Sequence, residues 1–260
     1  MYSDKEFKKR PVEEIIEDLD MALGVYGSGV STIFLADGNT AALPTDTLVA
    51  IGEAARERFP HLERITMYGS AKFLVKKSRE EWQDIGAAGI TRIHSGLESG
   101  DPVTLEQIRK GVDPEAAARS FNHVMDAGIE LSVYLMVGVA GLERWREHAE
   151  GSAAVLNRAS PNFVRLRTFV PALGTDWCER WQRGELSLLD PYQALEETRL
   201  LVDSLQGPTV LMSDHISNFF DVRGRIPEDK RAMIESIDEA LEWPRERFRP
   251  PTERMIGLGL

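Results

Sequence analysis

An incomplete (β/α) barrel of parallel strands is the α/β fold that the sequence predicts, and three observations predict it. Six short runs rich in β-branched and aliphatic residues recur along the chain, at Ser31–Asp37, Arg64–Ser70, Arg92–Leu97, Leu131–Gly138, Phe163–Phe169 and Thr209–His215. Apolar runs of this length, bounded by turn residues, suit strands of a parallel sheet. Helical periodicity fills the gaps between them, as βα crossovers require. Polar or glycine-rich clusters close every run, whereas the G-x-G-x-x-G that would follow the first strand of a dinucleotide fold is missing. A doubly wound sheet gathers its ligand groups at one switch point, and a barrel uses all its strand ends, so the pattern favours a full or partial barrel. The series opens on a helix, Pro11 to about Tyr26, with no strand ahead of it.

The helices follow in order. Pro44-Thr45-Asp46 opens one that runs to about Phe59 and stops at Pro60. Ser78-Arg79-Glu80-Glu81 is a capping box, and its helix ends at Gly89. Asp113-Pro114 caps the helix that ends at Gly128, and Asp190-Pro191 caps the one through Leu205, closed by Gly207-Pro208. A last helix, Pro227 to about Trp243, precedes an Arg- and Pro-rich tail over 244–260. No linker or low-complexity segment interrupts this, so residues 1–260 read as a single domain.

Composition narrows the function. Of 260 residues, 42% are hydrophobic and 28% charged, ordinary values for a packed domain. A net charge of −11 disfavours broad binding to a nucleic-acid backbone. The basic run of Lys5, Lys8, Lys9 and Arg10 reads as a solvated arm. No apolar run reaches a membrane-spanning length of about 18 residues. The first residues are charged and lack the apolar core of a secretory signal, which points to the cytoplasm. The single cysteine, Cys178, excludes an intrachain disulfide and any Cys-only metal or cluster site, and reads as a half-buried structural residue on a helix.

The strand ends carry the candidate chemistry. Asp37-Gly38-Asn39 offers a close backbone approach between two polar side chains that could bind an amine or hydroxyl; the same residues could equally make an Asx turn. Glu98, within Gly96-Leu97-Glu98-Ser99-Gly100, is a carboxylate among small residues, suited to a cationic or polyhydroxyl ligand or to an ion pair with Lys72, Arg92 or Arg109. Arg165 and Arg167 share one face of a strand and could bind a carboxylate bidentately, or pair internally with Glu98 or Asp37. Asp214, His215 and Asn218 could serve acid–base work or metal binding, with a structural turn as the plainer reading, and His94 reads as a satisfied interior histidine. No Ser–His–Asp ordering, H-E-x-x-H or Walker loop is present, and no catalytic or metal-ligating residue is assigned.

Taken in order, these motifs resemble the core of the radical S-adenosylmethionine (radical SAM) superfamily, in the branch of oxygen-independent coproporphyrinogen oxidase-like, tRNA-modifying and elongator-like proteins. The likeness runs from Phe7-Lys8-Lys9-Arg10-Pro11 to near Glu239. It is most specific at Ile33-Phe34-Leu35-Ala36-Asp37-Gly38-Asn39, at Gly96–Gly100 with Ile108-Arg109-Lys110-Gly111, and at Pro171-Ala172-Leu173-Gly174-Thr175. The resemblance implies SAM binding by Asp37, Gly38 and Asn39 at the amino group, Tyr68 and Ser70 at the third-strand end, Glu98 and Ser99 near the ribose and carboxylate, and Arg167 as sixth-strand partner. It implies a [4Fe–4S] cluster and an electron donor in the complete family member, which cleaves SAM to a 5′-deoxyadenosyl radical that attacks a substrate. Members hold the cluster with a C-x-x-x-C-x-x-C loop after their first strand, and Met1–Phe7 is similar to the text just past its third cysteine. The expectation is therefore a chain that lacks the first strand and the cluster loop, holds no cluster and is inactive as it stands. Two other readings stay open: a cluster-less barrel that binds SAM, a nucleotide or a partner, and a barrel lyase or aldolase with Lys72 as Schiff base.

Overall fold

The computed structural model describes residues 9–36 and 38–248. In chain order these form α1 (Val12–Tyr26), β1 (Thr32–Leu35), α2 (Thr45–Arg58), β2 (Arg64–Tyr68), α3 (Ala71–Leu74), α4 (Arg79–Ala87), β3 (Arg92–Glu98), α5 (Pro102–Gln107), α6 (Pro114–Asp126) and β4 (Glu130–Val137). There follow α7 (Gly141–Ala159), β5 (Phe163–Thr168), α8 (Asp176–Gln182), α9 (Pro191–Ser204), β6 (Thr209–Met212), β7 (Arg223–Ile226) and α10 (Lys230–Leu241). The strands form a seven-stranded, mostly parallel sheet in sequential order, with β1 and β7 at its ends. Lys5 and Lys8 of the basic arm, residues 1–7, Asp37 and the tail beyond Phe248 lie outside the described residues.

Two compact units divide the chain. The first comprises Met1–Gly96 and Arg119–Ser132. Here β1 pairs in parallel with β2, and β2 with β3, in the registers Leu35↔Met67 and Tyr68↔His94. Ile65, Met67 and Ile93 are fully buried, and α2 and α4 contribute Leu48, Ile51, Trp82 and Ile85 to the same core. The capping box is present as expected: Ser78 Oγ accepts from Glu81 N at 3.2 Å, and Ser78 N donates to Glu81 Oε2 at 2.7 Å. By contrast α1 buries only Leu19, and Met21, Val25 and Tyr26 stand out from it.

The second unit comprises Leu97–Ala118 and Val133–Leu260. In it β5 pairs in parallel with β6, at Arg165↔Met212. Residues of β5 alternate, with Val164 and Leu166 buried and Arg165 and Arg167 on the other, half-buried face. The helix after β4 is long, and Ala149, Ala153 and Leu156 form its buried stripe. Asp190 makes a second capping box with Gln193 at the start of α9.

The mostly parallel, open sheet agrees with the expected incomplete barrel. A seventh strand is added to the six expected, and β7 runs antiparallel to β6, pairing Met212↔Arg223 and Thr209↔Ile226. Its sequence, Arg-Gly-Arg-Ile, has neither the apolar run nor the β-propensity that marks a strand, and ladder bonds to β6 form it instead. The last helix accordingly begins at Lys230 rather than Pro227. Cys178 is not half-buried but almost wholly buried in α8, at 2% exposure.

Candidate functional site

Within the first unit, the carboxyl ends of β1 and β2 are tied together. After β1 the chain turns at Gly38, whose φ of +83° is a conformation that glycine adopts without strain. Asn39 then turns its side chain across to the next loop, where its Oδ1 accepts a hydrogen bond from Ser70 N at 2.9 Å. Ser70 stands at the start of α3 without using its hydroxyl as a cap. Tyr68, 42% exposed, meets Phe34 edge to face with ring centroids 4.9 Å apart, and lies 5.9 Å from the His94 ring. Lys72 is exposed on α3, outside the apolar enclosure that a Schiff-base lysine uses.

In the second unit the end of β3 leads into a buried polar chain. Glu98 adopts φ +68°, rare for a residue with a side chain, and its Oε1 lies 3.0 Å from Lys110 Nζ. Lys110 is thus its partner rather than Lys72, Arg92 or Arg109. Ser99 is fully buried; its Oγ accepts from Asp101 N at 3.0 Å and lies 2.8 Å from His148 Nδ1. His148 Nε2 lies 3.3 Å from Glu197 Oε1, and the Glu197 carboxyl accepts from Gly138 N at 3.0 and 3.2 Å. One hydrogen-bonded chain therefore links the end of β3 to the end of β4.

Burial sets the charge state of that chain. It pushes the Glu197 carboxyl up to about 8, against the hydrogen bond from Gly138 N. It pushes the His148 imidazole down to about 4, against the attraction of Asp101. Burial thus favours the uncharged form of both groups, in which a protonated Glu197 carboxyl can donate to Nε2 while Nδ1–H faces Ser99 Oγ. Asp101 is the ionised member nearby. Burial works to raise it, but hydrogen bonds from Arg144 (2.9 and 2.8 Å) and Thr104 hold it down to about 2.

Backbone contact fixes the same corner. A side chain at Gly100 would meet Gly151 O at 2.3 Å, and Gly100 N donates to Ser152 Oγ at 2.9 Å. On β5, the Arg167 guanidinium lies over the Tyr134 ring at 4.8 Å, and Arg165 Nη1 is 3.8 Å from Asp214 Oδ1. Arg165 Nε is buried without a hydrogen-bond partner among the described residues. Residues 214–218 are structural where Asn218 is concerned, since its buried amide bonds Leu166 O, Ser213 O and Thr168 Oγ1. A cavity of about 590 Å³ opens beside the loop after β4, lined by Val139, Arg144, Trp177 and Arg180 among others. Glu98, Ser99 and Arg167 are not among its lining residues.

Sequence reasoning missed His148, Glu197, Asp101 and Arg144. Only Asp101-Pro102, a helix-start signal of the same kind as Asp190-Pro191, could have pointed to one of them.

The radical SAM superfamily model matches residues 2–150, more than half of the chain. The chain belongs to the radical SAM superfamily. No curated protein matches its sequence. Among solved structures, this radical SAM chain is similar to the archaeal Methanocaldococcus infernus Elp3 with an N-terminal deletion, at 16% identity and TM-score 0.57, over 89% of this chain and 58% of that one. It is similar to coproporphyrinogen III oxidase (HemN) from Escherichia coli, at 14% identity and TM-score 0.58, over 74% of this chain and 44% of that one. It also resembles methylornithine synthase (PylB), at 15% identity and TM-score 0.53, over 89% of this chain and 62% of that one. The chain thus spans less than two thirds of each of these structures, which share its fold.

The radical SAM family as a whole uses SAM with a [4Fe–4S] cluster. The residues present do not fit the cluster: one cysteine cannot supply three thiolates, and it is buried in α8. Among the described residues no group of three or more His, Cys, Asp or Glu could hold a metal ion. SAM is a different matter: amide and hydroxyl groups stand at the strand ends of the first unit, and carboxylate and guanidinium groups at those of the second.

Proposed function

We propose that this chain binds S-adenosylmethionine at the carboxyl ends of its strands, the ligand that its family cleaves reductively. SAM presents an ammonium, a carboxylate, two ribose hydroxyls and a sulfonium, so its site needs acceptors, donors and a cation. Asp37, Gly38 and Asn39 would take the amino group, Tyr68 and Ser70 the next strand end, Glu98 the ribose with the buried Ser99 behind it, and Arg167 the carboxylate. The observation that carries this reading is the Asn39–Ser70 bond, which presets the loop after β1 against the loop after β2 before any ligand arrives. The buried Ser99–His148–Glu197 chain would do the same for Glu98. An unidentified substrate and an electron donor are the partners this reading calls for, in the cytoplasm.

Calorimetry with SAM tests it. SAM should bind the wild-type chain, and Asn39→Ala and Glu98→Ala should each weaken it by about 1–3 kcal/mol, the cost of leaving a polar partner unmatched. Absence of SAM binding by the wild type, or unchanged affinity in both variants, would overturn the assignment.

A further inference from the structure

The two arginines of β5 outnumber what SAM can use. Arg165 and Arg167 lie two residues apart on the same face, in a chain whose overall charge is −11. Their one carboxylate partner among the described residues is a long contact. Arg165 reaches Asp214 only at 3.8 Å, with Asp214 itself 44% exposed, and Arg167 rests on the Tyr134 ring. The buried Nε of Arg165 has no acceptor among the described residues. A buried donor left unmatched costs about 1–3 kcal/mol, and a ligand oxygen would recover it. Of the two counter-ions that sequence alone offers these arginines, Glu98 is already paired with Lys110, and Asp37 lies outside the described residues.

SAM makes the imbalance larger. Its sulfonium and ammonium outweigh its carboxylate, so it enters as a net cation. One guanidinium suffices for that carboxylate, and a second beside a cationic ligand is unfavourable without a further anion. We propose that Arg165, with Arg167 beside it, binds an oxyanion carried by the substrate that reacts alongside SAM, a carboxylate or a phosphate. The inference rests on the SAM reading above and names the class of its unidentified substrate. A planar guanidinium fork suits both oxyanions, because each offers two oxygens at matching spacing. Asp214 then acts as a loose tether that yields the guanidinium to the ligand.

The test titrates the 260-residue chain with inorganic phosphate and, separately, with acetate, while following the arginine Nε–Hε resonances by NMR. The Arg165 resonance should shift and saturate with one of the two anions, and the anion that binds more tightly identifies the source. Arg165→Met and Arg167→Met should each weaken that anion about tenfold or more, and Arg165→Lys should recover only part of it, because a point charge replaces a fork. Arg199→Met, which removes an exposed partner of Asp238, should leave anion binding unchanged. SAM affinity, measured in parallel, should fall in Arg167→Met and change by less than about twofold in Arg165→Met. SAM binding with no response of the Arg165 resonance to either anion would overturn the oxyanion site while leaving the SAM reading intact. An anion response in a chain that takes up no SAM would support the oxyanion site and fault the SAM reading. The wild-type resonance decides the matter even where a methionine variant fails to fold.

Discussion

Replacing Glu197 by glutamine should make the protein progressively more stable than wild type as pH rises from about 5 to about 8. The carboxyl is enclosed and raised to about 8, so the folded state keeps a proton that the unfolded chain, titrating near 4.5, gives up. Wherever the folded state binds the extra proton, stability falls as pH rises, by about 1.4 kcal/mol per pH unit for one proton. His148 acts in the opposite sense. Its folded value is near 4 and its ordinary value 6.5, so stability rises with pH between those two points. In wild type the two effects largely cancel up to about pH 6.5; from there to pH 8 only the Glu197 loss remains, about 1–2 kcal/mol. The glutamine variant has no such loss. Its stability should rise by about 2 kcal/mol from pH 5 to 6.5, as His148 alone dictates, and then stay level to pH 8. The amide keeps both hydrogen bonds: its carbonyl accepts from Gly138 N and its NH2 donates to His148 Nε2. Glu197→Ala leaves two buried groups unmatched and should fall about 2–6 kcal/mol below the glutamine variant at every pH. Urea denaturation followed by circular dichroism at pH 5, 6.5 and 8 measures all three proteins. The reasoning fails if glutamine is as damaging as alanine, or if the gap between glutamine and wild type does not widen with pH.

Two more outcomes follow from the same corner and from the lone cysteine. Gly100→Ala would drive a methyl group into Gly151 O at 2.3 Å and should cost about 1–3 kcal/mol as overpacking, read as a lowered urea midpoint; an unchanged midpoint would show that the loop after β3 and α7 can part freely. Anaerobic reconstitution of this chain with iron and sulfide should yield no stoichiometric [4Fe–4S] cluster, and about four irons per chain with a cluster EPR signal on reduction would refute that.

Much of the fold was legible because local chemistry and final structure agree. The Ser78 and Asp190 boxes start α4 and α9 where their side chains require, and the apolar runs around Ile65 and Val133 became buried strands. The alternation of Arg165, Leu166 and Arg167 gave their shared face directly. What the sequence concealed depends on tertiary placement. Glu197 sits in Ala-Leu-Glu-Glu-Thr-Arg, which reads as an ordinary solvated helix, and nothing local distinguishes it from Glu196. Its burial is decided by Gly138 and His148, which lie far from it in sequence. Glu98 found Lys110 because the left-handed turn at its own backbone redirects the side chain, and a pattern of residue types carries no φ. Strand β7 exists only as a neighbour of β6.

The two outermost strands differ in how they would greet a stray β-segment. Arg223 and Arg225 are exposed on β7, so an incoming strand would have to strip water from two guanidiniums to hydrogen-bond there. Thr32-Ile33-Phe34-Leu35 offers no such charge on β1. A single lysine in place of the exposed Thr32 would give β1 the charge that β7 already carries, and is the economical way to engineer solubility.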